Sequence, residues 1–375
     1  MKIEKVEVFV LSDKLDKSFY FSQWEYSERK ICLVKITTTS GLIGWGEGYG
    51  PADLLASGVK HLSKYVVGQN PVNSEVIWEN LYRRTLDFAR SGILMAAVSA
   101  IDVAIWDLKG KILELPVHQL FGGKKRDKIY PYATGLYFRK EKNLTRAMAE
   151  EAIRYKELGY HAVKMKVGMS IEEDIKNVEA VRKAIGSEVD LMIDANHAYN
   201  LQEAIKLAKA LEEYNIGWFE EPISPEFYEQ HAELRSKTFI PIAGGECEYL
   251  RYGFHRLLKN NSLDILQPDI CASGGLTEAK RIATLASVYG VDLVPHSWGT
   301  YVALSAAMHF VANLDPIPGR LKMPKFTLEH DRTTNGLRDK VTLPDFEVID
   351  GILVVSDKPG LGVEVDETAL KQYIV

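Results

Sequence analysis

Three carboxylates recur along the chain at an even spacing, and each stands directly after a short apolar run. Asp194, Glu220 and Glu246 are separated by 26 residues in both intervals. If the runs are successive parallel strands, their carboxyl ends are neighbours on one rim of the fold. Anions crowded there raise each other's pKa unless a cation lies among them. Because oxygen donors suit a hard dication, we predict a Mg²⁺ site, with Mn²⁺ as a substitute.

Basic side chains flank these carboxylates in the chain. Lys164 and Lys166 end the preceding apolar run, and residues two apart on a strand face the same way. The second ammonium group and a nearby dication would each lower a lysine pKa toward the range of a general base. Two later runs end in Asp269 and His296, where the carboxylate would orient the imidazole. With Glu329 after the last run, we predict a metal between a lysine base and a His–Asp pair.

Each signal taken alone has a plainer explanation. A Lys-x-Lys pair is usually a solvated strand edge, a Glu-Glu-Pro sequence is usually a turn, and a single histidine is usually structural. Six strand-like runs that all end in an ionisable group are harder to explain as scattered surface charge. We therefore favour a catalytic rim over any of the separate explanations.

The elements that must position these residues alternate between strand and helix patterns. Ser170 opens a capping box with Gly186 as the stop, and Asn200 caps the next helical pattern. This rhythm predicts an α/β fold of the TIM type, although a doubly wound open sheet shows the same alternation. No glycine-rich dinucleotide or phosphate loop opens any of the helices. The predicted strands are Ile129–Ala133, His161–Val167, Leu191–Ile193, Ile216–Phe219, Ile240–Ala243, Ile265–Gln267, Asp292–Pro295 and a run near Phe326–Leu328.

The region before residue 126 has a different pattern. Residues 1–50 read as strands and 52–114 as helices, with the most apolar helix at Ile93–Leu113. We interpret Leu15–Ser27 as a loop that carries five aromatic side chains. Such a loop is either a lid over a ligand or packed on a neighbouring domain. We predict an α+β domain over 1–125, a barrel over 126–335, and a tail over 336–375 that returns to the first domain.

Composition limits the classes of function. The 375 residues carry a formal net charge of −5 and 46% hydrophobic residues, so no basic field exists for nucleic acid or anionic membranes. Cys32, Cys247 and Cys271 are too few and scattered for a disulfide framework. The N-terminus lacks the apolar stretch of a signal peptide, and no run has the length of a membrane span. We predict a soluble cytoplasmic protein that acts on a small molecule.

The ordered set of rim residues resembles the enolase superfamily, and within it the mandelate racemase subgroup, over essentially the whole chain. The resemblance implies a (β/α)7β barrel with an α+β capping domain that the C-terminal tail completes. It implies Mg²⁺ on Asp194, Glu220 and Glu246, with Lys166 and the His296–Asp269 pair as acid/base groups. Muconate-lactonizing and dipeptide-epimerase relatives carry a lysine where this chain has Gln267-Pro-Asp269, which argues against that subgroup. In the family pattern, Lys164 stands beside the base and Glu329 hydrogen-bonds the substrate carboxylate.

Several stretches are similar to galactarolactone cycloisomerases and acid-sugar dehydratases, among them Asp194–Tyr199, Trp218–Pro222 and Val294–Thr300. This implies removal of the proton beside a carboxylate of a sugar acid or its lactone, with β-elimination to a 2-keto-3-deoxy acid. Dehydration of an open-chain aldonate or hexarate, racemisation, and a catalytically silent binding barrel stay open as alternatives. Family habit implies an even-numbered homo-oligomer, often an octamer. The resemblance also implies substrate contacts from Tyr20, Trp24, Asn196, His197 and Trp298.

Overall fold

The computed structural model describes residues 1–315 and 328–375 and begins with an antiparallel sheet of three strands. The interpretation of Leu15–Ser27 as a loop is wrong, because only residues 21–24 connect the first two strands. The β-prone aromatic side chains continue the pairing past a register shift between Lys14 and Phe19. The strands of this sheet are β1 (Ile3–Tyr20), β2 (Glu25–Thr38) and β3 (Ile43–Gly48).

Four helices follow, of which α3 is buried along nearly its whole length. The antiparallel sheet lies close against α3, and the lack of a side chain at Gly46 permits this approach. A Cβ there would meet the Ala100 carbonyl oxygen at 2.1 Å. On another side of α3, Asp102 accepts hydrogen bonds from Thr277 N at 2.9 Å and Thr277 Oγ1 at 2.7 Å. The helices are α1 (Ala52–Ser63), α2 (Ser74–Thr85), α3 (Ile93–Leu113) and α4 (Val117–Leu120).

The second sheet has eight parallel strands, which establishes an α/β architecture. Its order is β11-β10-β9-β8-β7-β6-β5-β12, so that strands consecutive in the chain lie side by side from β5 to β11. Phe326 and Thr327 of the predicted last strand lie outside the described residues. The strands are β5 (Pro131–Thr134), β6 (Ala162–Lys166), β7 (Asp190–Asp194), β8 (Ile216–Glu220), β9 (Ile242–Gly244), β10 (Ile265–Leu266), β11 (Asp292–Leu293) and β12 (Leu328–Asp331).

The helices between these strands start and stop where the sequence signals indicate. Ser170 caps α6 through Glu173 N, and Asn200 forms a capping box with Glu203 at the start of α7. Gly186 ends α6 with a φ of 75°. The helices are α5 (Leu144–Glu157), α6 (Ile171–Ile185), α7 (Leu201–Leu211), α8 (Tyr228–Arg235), α9 (Leu250–Lys259), α10 (Gly275–Tyr289) and α11 (Tyr301–Asn313).

The tail runs back along the N-terminal elements. Leu361 N donates to Asp107 Oδ1 on α3 at 2.8 Å, and Val375 N donates to Val10 O on β1 at 3.1 Å. The domain limits near 125 and 335 stay predictions. Among the described helices, none combines the length and apolar character needed to cross a membrane. The remaining elements are β4 (Lys128–Ile129), α12 (Gly336–Val341), β13 (Thr342–Pro344), β14 (Val348–Ile349), β15 (Ile352–Val354), β16 (Val363–Val365) and α13 (Glu367–Lys371).

Candidate active site

The register of three parallel strands brings the predicted rim residues side by side. Lys166 on β6 pairs in register with Asp194 on β7, and Asp194 with Glu220 on β8. All three lie at the carboxyl ends of their strands, which is where active sites form in parallel α/β folds. Lys164, two residues before Lys166, faces the same side and is only 1% exposed.

Both lysines form ion pairs with the carboxylates. Lys164 Nζ contacts Glu220 and lies 2.9 Å from Glu329 Oε1 and 3.7 Å from Asp194 Oδ2. Lys166 Nζ contacts Asp194 and donates to Asn196 Oδ1 at 2.7 Å. Burial opposes the charge on Lys166, but Asp194 and its neighbours outweigh burial and raise the lysine pKa. This direction differs from the sequence prediction, because the lysines face the carboxylates directly.

Glu220 is buried and is the one predicted metal ligand of the three that is not among the residues lining the cavity. Its Oε2 accepts from Trp218 Nε1 at 2.9 Å and from Gln267 Nε2 at 2.7 Å. Burial raises its pKa to about 7; Lys164 opposes that shift, and Asp194 and other carboxylates add to it. The group as a whole has more carboxylates than cationic partners, and its donors are oxygens. Such a set fits a hard dication.

His296 and Asp269 form a buried pair on the other side of the cavity. His296 Nδ1 lies 2.6 Å from Asp269 Oδ2, which leaves Nε2 3.3 Å from Glu246 Oε2. Burial opposes the charged imidazole, but Glu246, Glu329 and Asp269 outweigh it and raise the His296 pKa to about 10. Glu329 is held in place by Thr134 Oγ1 at 2.6 Å and Ser297 N at 3.1 Å.

The hairpin between β1 and β2 reaches over this rim. Ser22 Oγ donates to Ala195 O at 2.8 Å, and Gln23 Nε2 donates to Asn196 O at 2.8 Å. The Tyr26 ring centroid lies 4.8 Å from that of Trp298. The aromatic segment therefore packs on the rim and lines the cavity, and its role as a lid over a ligand stays a prediction.

A cavity of about 110 Å³ collects most of the predicted site residues. Its walls include Trp24, Lys164, Lys166, Asp194, Asn196, His197, Glu246, His296, Trp298 and Glu329. Glu220 and Asp269 lie behind the wall, in contact with Lys164 and His296. Tyr20 is not among the lining residues, and its backbone instead pairs with Phe138 at 2.9 Å.

Sequence reasoning missed other lining residues. Tyr49 and Tyr137 face the cavity, and the Tyr49 ring centroid lies 4.9 Å from that of His296. Tyr49 directly follows β3 and Tyr137 follows β5, and this position just past a strand end is the one sequence feature that they share with the predicted rim residues. Phe21, Gln23, Tyr26 and Cys247 complete the lining.

Two family models cover most of the chain. The model described as Mandelate racemase / muconate lactonizing enzyme, N-terminal domain matches residues 5–122. The model described as Enolase C-terminal domain-like matches residues 147–369. Among curated proteins, the chain is 40% identical to D-galactarolactone cycloisomerase of Agrobacterium fabrum, over 100% of this chain and 99% of that protein. It is 34% identical to arabinonate dehydratase of Saccharolobus solfataricus, over 92% and 90%.

Solved structures agree with these relatives. The 3,6-anhydro-D-galactonate cycloisomerase from Zobellia galactanivorans is 53% identical, with a TM-score of 0.92 and 100% of both chains covered. A racemase from Streptomyces coelicolor A3(2), crystallised with bound magnesium, is 28% identical, with a TM-score of 0.88 and 100% of both chains covered.

Proposed function

Because the chain belongs to the mandelate racemase/muconate lactonizing enzyme family of the enolase superfamily, we propose that it is a cycloisomerase of cyclic sugar acids. It removes the proton beside the substrate carboxylate and opens the ring by β-elimination. The observation that carries the proposal is the placement of Lys166 and His296 in one small cavity with Asp194 and Glu246. The cycloisomerases among its relatives point to the ring-opening outcome.

The carboxylates of Asp194, Glu220 and Glu246 are the proposed ligands of Mg²⁺, and Mn²⁺ is the proposed substitute. When bound, the dication supplies electrostatic stabilisation for the negative charge that develops on the substrate carboxylate. The fit rests on three oxygen-donor side chains at adjacent strand ends, in surroundings that hold more anions than cations. Glu329, fixed by Thr134 and Ser297, is the proposed hydrogen-bonding partner of the substrate carboxylate.

The acid/base work falls to two side chains. Lys166 Nζ or His296 Nε2 takes the proton from the α-carbon, according to the configuration of that carbon. The electron pair of the broken C–H bond forms a double bond to the β-carbon, and the ring C–O bond breaks. The opposite group donates a proton to the departing oxygen. Asp269 holds the His296 ring by its Nδ1, so Nε2 is the nitrogen free to exchange a proton.

The kind of ring decides how much acid help is needed. In a 3,6-anhydro acid the leaving oxygen is an ether oxygen on the β-carbon and departs as an alkoxide, so it requires a proton. In a lactone the leaving oxygen departs as a carboxylate, which needs far less help. In both cases no water is lost, and the enol becomes a 2-keto-3-deoxy acid. We propose 3,6-anhydro-D-galactonate as the first substrate and D-galactarolactone as the second.

An acid-sugar dehydratase is the second candidate, and the 34% identity to arabinonate dehydratase favours it. The same groups would then protonate a β-hydroxyl, and water would leave. Racemisation or epimerisation has less support, because the racemase from Streptomyces coelicolor A3(2) is 28% identical, whereas the cycloisomerases are 40% and 53% and the arabinonate dehydratase 34% identical. A silent binding barrel has the least support, because all the predicted metal carboxylates and both acid/base groups are present.

Three further expectations, on the closure of the barrel, the oligomeric state and the location, belong to the same proposal. We infer that the eight parallel strands close as a (β/α)7β barrel and that the N-terminal sheet and helices cap it, with the tail completing the cap. We also propose an even-numbered homo-oligomer, with an octamer as one form. A cytoplasmic location stays a prediction.

The test is direct. The protein with Mg²⁺ is incubated separately with 3,6-anhydro-D-galactonate, D-galactarolactone and open-chain aldonates and hexarates, and 2-keto acid formation is assayed. A product of unchanged mass from a cyclic acid supports the cycloisomerase, whereas loss of one water from an open-chain acid supports the dehydratase. EDTA should abolish turnover and excess Mg²⁺ should restore it. No 2-keto acid from any substrate would refute both candidates.

A further inference from the structure

Three side chains with different donor atoms meet just behind the proposed Mg²⁺ ligands. His197, Glu221 and Cys247 follow the ends of β7, β8 and β9, and their ligand atoms all lie within 4.8 Å of one another. His197 Nε2 is 3.1 Å from Glu221 Oε2 and 3.7 Å from Cys247 Sγ. The three positions face a second cavity, of about 300 Å³, and two of them also line the substrate cavity.

The backbone is held so that these side chains converge. His197 and Glu221 both have left-handed φ values, 67° and 42°, which are uncommon for residues other than glycine. His197 N donates to the Glu221 carbonyl oxygen at 2.7 Å, which ties the two turns together. Strained conformations of this kind persist where the surrounding structure requires them.

The hydrogen bonding of His197 leaves its Nε2, an acceptor, facing the acceptor oxygen Oε2 of Glu221. His197 Nδ1 lies 3.3 Å from the Ile223 carbonyl oxygen, so that its N–H donates there and Nε2 carries the lone pair. That lone pair points at the buried Glu221 carboxylate, whose Oε2 also accepts from Asn196 Nδ2 at 3.3 Å. Two acceptors at this distance repel unless a cation or an extra proton lies between them.

The spacing matches a tetrahedral metal site. Zinc bond lengths of about 2.0 Å to nitrogen and oxygen and about 2.3 Å to sulfur place neighbouring ligand atoms roughly 3.3 to 3.5 Å apart. The observed separations of 3.1 and 3.7 Å bracket these values. Cys247 is exposed, so an ion can enter from solvent and a fourth position stays open.

We propose that His197, Glu221 and Cys247 form a second metal site, selective for a thiophilic divalent transition ion of the Zn²⁺ and Co²⁺ class. Binding forms one bond each to nitrogen, oxygen and sulfur, and the Cys247 thiol releases its proton to solvent. Mg²⁺ does not compete there, because it disfavours sulfur and nitrogen ligands. This second site does not require the proposed reaction, although two of the three residues also line the substrate cavity.

The experiment is a Co²⁺ titration of the full chain in saturating Mg²⁺, followed by near-ultraviolet absorption. A thiolate bound to Co²⁺ gives a charge-transfer band, whereas Co²⁺ on the carboxylates of Asp194, Glu220 and Glu246 gives none. We expect one equivalent of the band and its loss when Zn²⁺ is added. C247S should abolish the band, and C32A should keep it, because Cys32 is buried in β2.

Zn²⁺ calorimetry of the same proteins gives a second readout. C247S should weaken the Zn²⁺ affinity by at least about tenfold relative to wild type and C32A. Circular dichroism establishes that each variant is folded. No charge-transfer band in the wild type, or an equal band in C247S, would overturn the proposal. Turnover with Mg²⁺ is a separate measurement, so either proposal can fail alone.

Discussion

Lys166 and Asp194 are register partners on adjacent parallel strands, and Lys166 Nζ donates a hydrogen bond to Asp194 Oδ2. A proposed base and a proposed metal ligand are thus fixed relative to each other by main-chain pairing. A dication on Asp194 would compete with Lys166 for the same carboxylate oxygen. We therefore expect Lys166 to lose its hydrogen bond to Asp194 when a dication binds.

Replacement of either acid/base group should lower turnover far more than stability. We expect K166A and H296N each to reduce kcat by about 10² to 10⁴, because each removes one proton-transfer group. The measurement is steady-state 2-keto acid formation, with thermal unfolding as the check on folding. K209A, on the exposed face of α7, is the matched control and should retain full activity. Full turnover in both K166A and H296N would remove the assignment.

The Asp269–His296 pair gives a pH prediction that separates the two roles of the histidine. D269N removes one of the groups that raise the His296 pKa, so that pKa should fall below the value of about 10. If His296 is the acid, the alkaline limb of the kcat profile moves to lower pH. If it is the base, the acidic limb moves to lower pH. A profile with both limbs unmoved would contradict a link between Asp269 and catalysis.

The hairpin tip should control substrate choice. Trp24 lines the cavity, although 55% of its surface is exposed, and it contacts no proposed acid/base group. We expect W24A to raise KM for the cyclic acid about tenfold, since roughly 1.4 kcal/mol of contact is lost, with a smaller change in kcat. Substrate saturation curves check this. Phe88 is exposed and is not among the residues that line the cavity, so F88A should leave both constants unchanged.

Stability should fall on acidification through a buried histidine of α11. His309 accepts from His118 N and donates from Nε2 to Leu361 O, and burial together with His118 lowers its pKa to about 3. The unfolded chain, with a histidine pKa near 6.5, binds the proton more readily. This part of the stability is therefore complete above pH 6.5 and is lost as the pH falls toward 3.

Between pH 7 and pH 5 the loss from His309 should be about 2 kcal/mol. Urea unfolding at both pH values measures it. H309Q keeps a donor and an acceptor but does not titrate. Its free energy of unfolding should therefore fall by about 2 kcal/mol less between pH 7 and pH 5 than that of the wild type. Equal changes in wild type and variant would disprove the contribution of His309.

The sequence predicted the parallel strands and the rim well, because apolar runs that end in ionisable residues are a local signal. Asp194, Glu220 and Glu246 could be placed without coordinates for that reason. The hairpin was misassigned because Lys14 and Phe19 flank a register shift, which breaks the alternation that marks a strand. Tyr49 could not be assigned to the cavity, because an aromatic after a strand is equally typical of a core.

The lysine pKa shows a different limit. Charge repulsion between Lys164 and Lys166 is visible in the sequence, whereas their direct ion pairs with Asp194 and Glu220 depend on side-chain geometry. The net sign of a shift follows from the balance of such contacts. Residue spacing can identify the charged groups that act on the lysine, but it does not give the direction of the net pKa shift.

The β1–β2 hairpin belongs to one part of the chain, and the proposed proton-transferring residues belong to another. Three residues at its turn, Phe21, Gln23 and Trp24, line the cavity, while the proposed acid/base groups end or follow strands between β6 and β11. We therefore expect substitutions confined to that turn to change which substrate enters without displacing the proposed acid/base groups. Related enzymes could therefore differ in substrate specificity while they keep the same reaction.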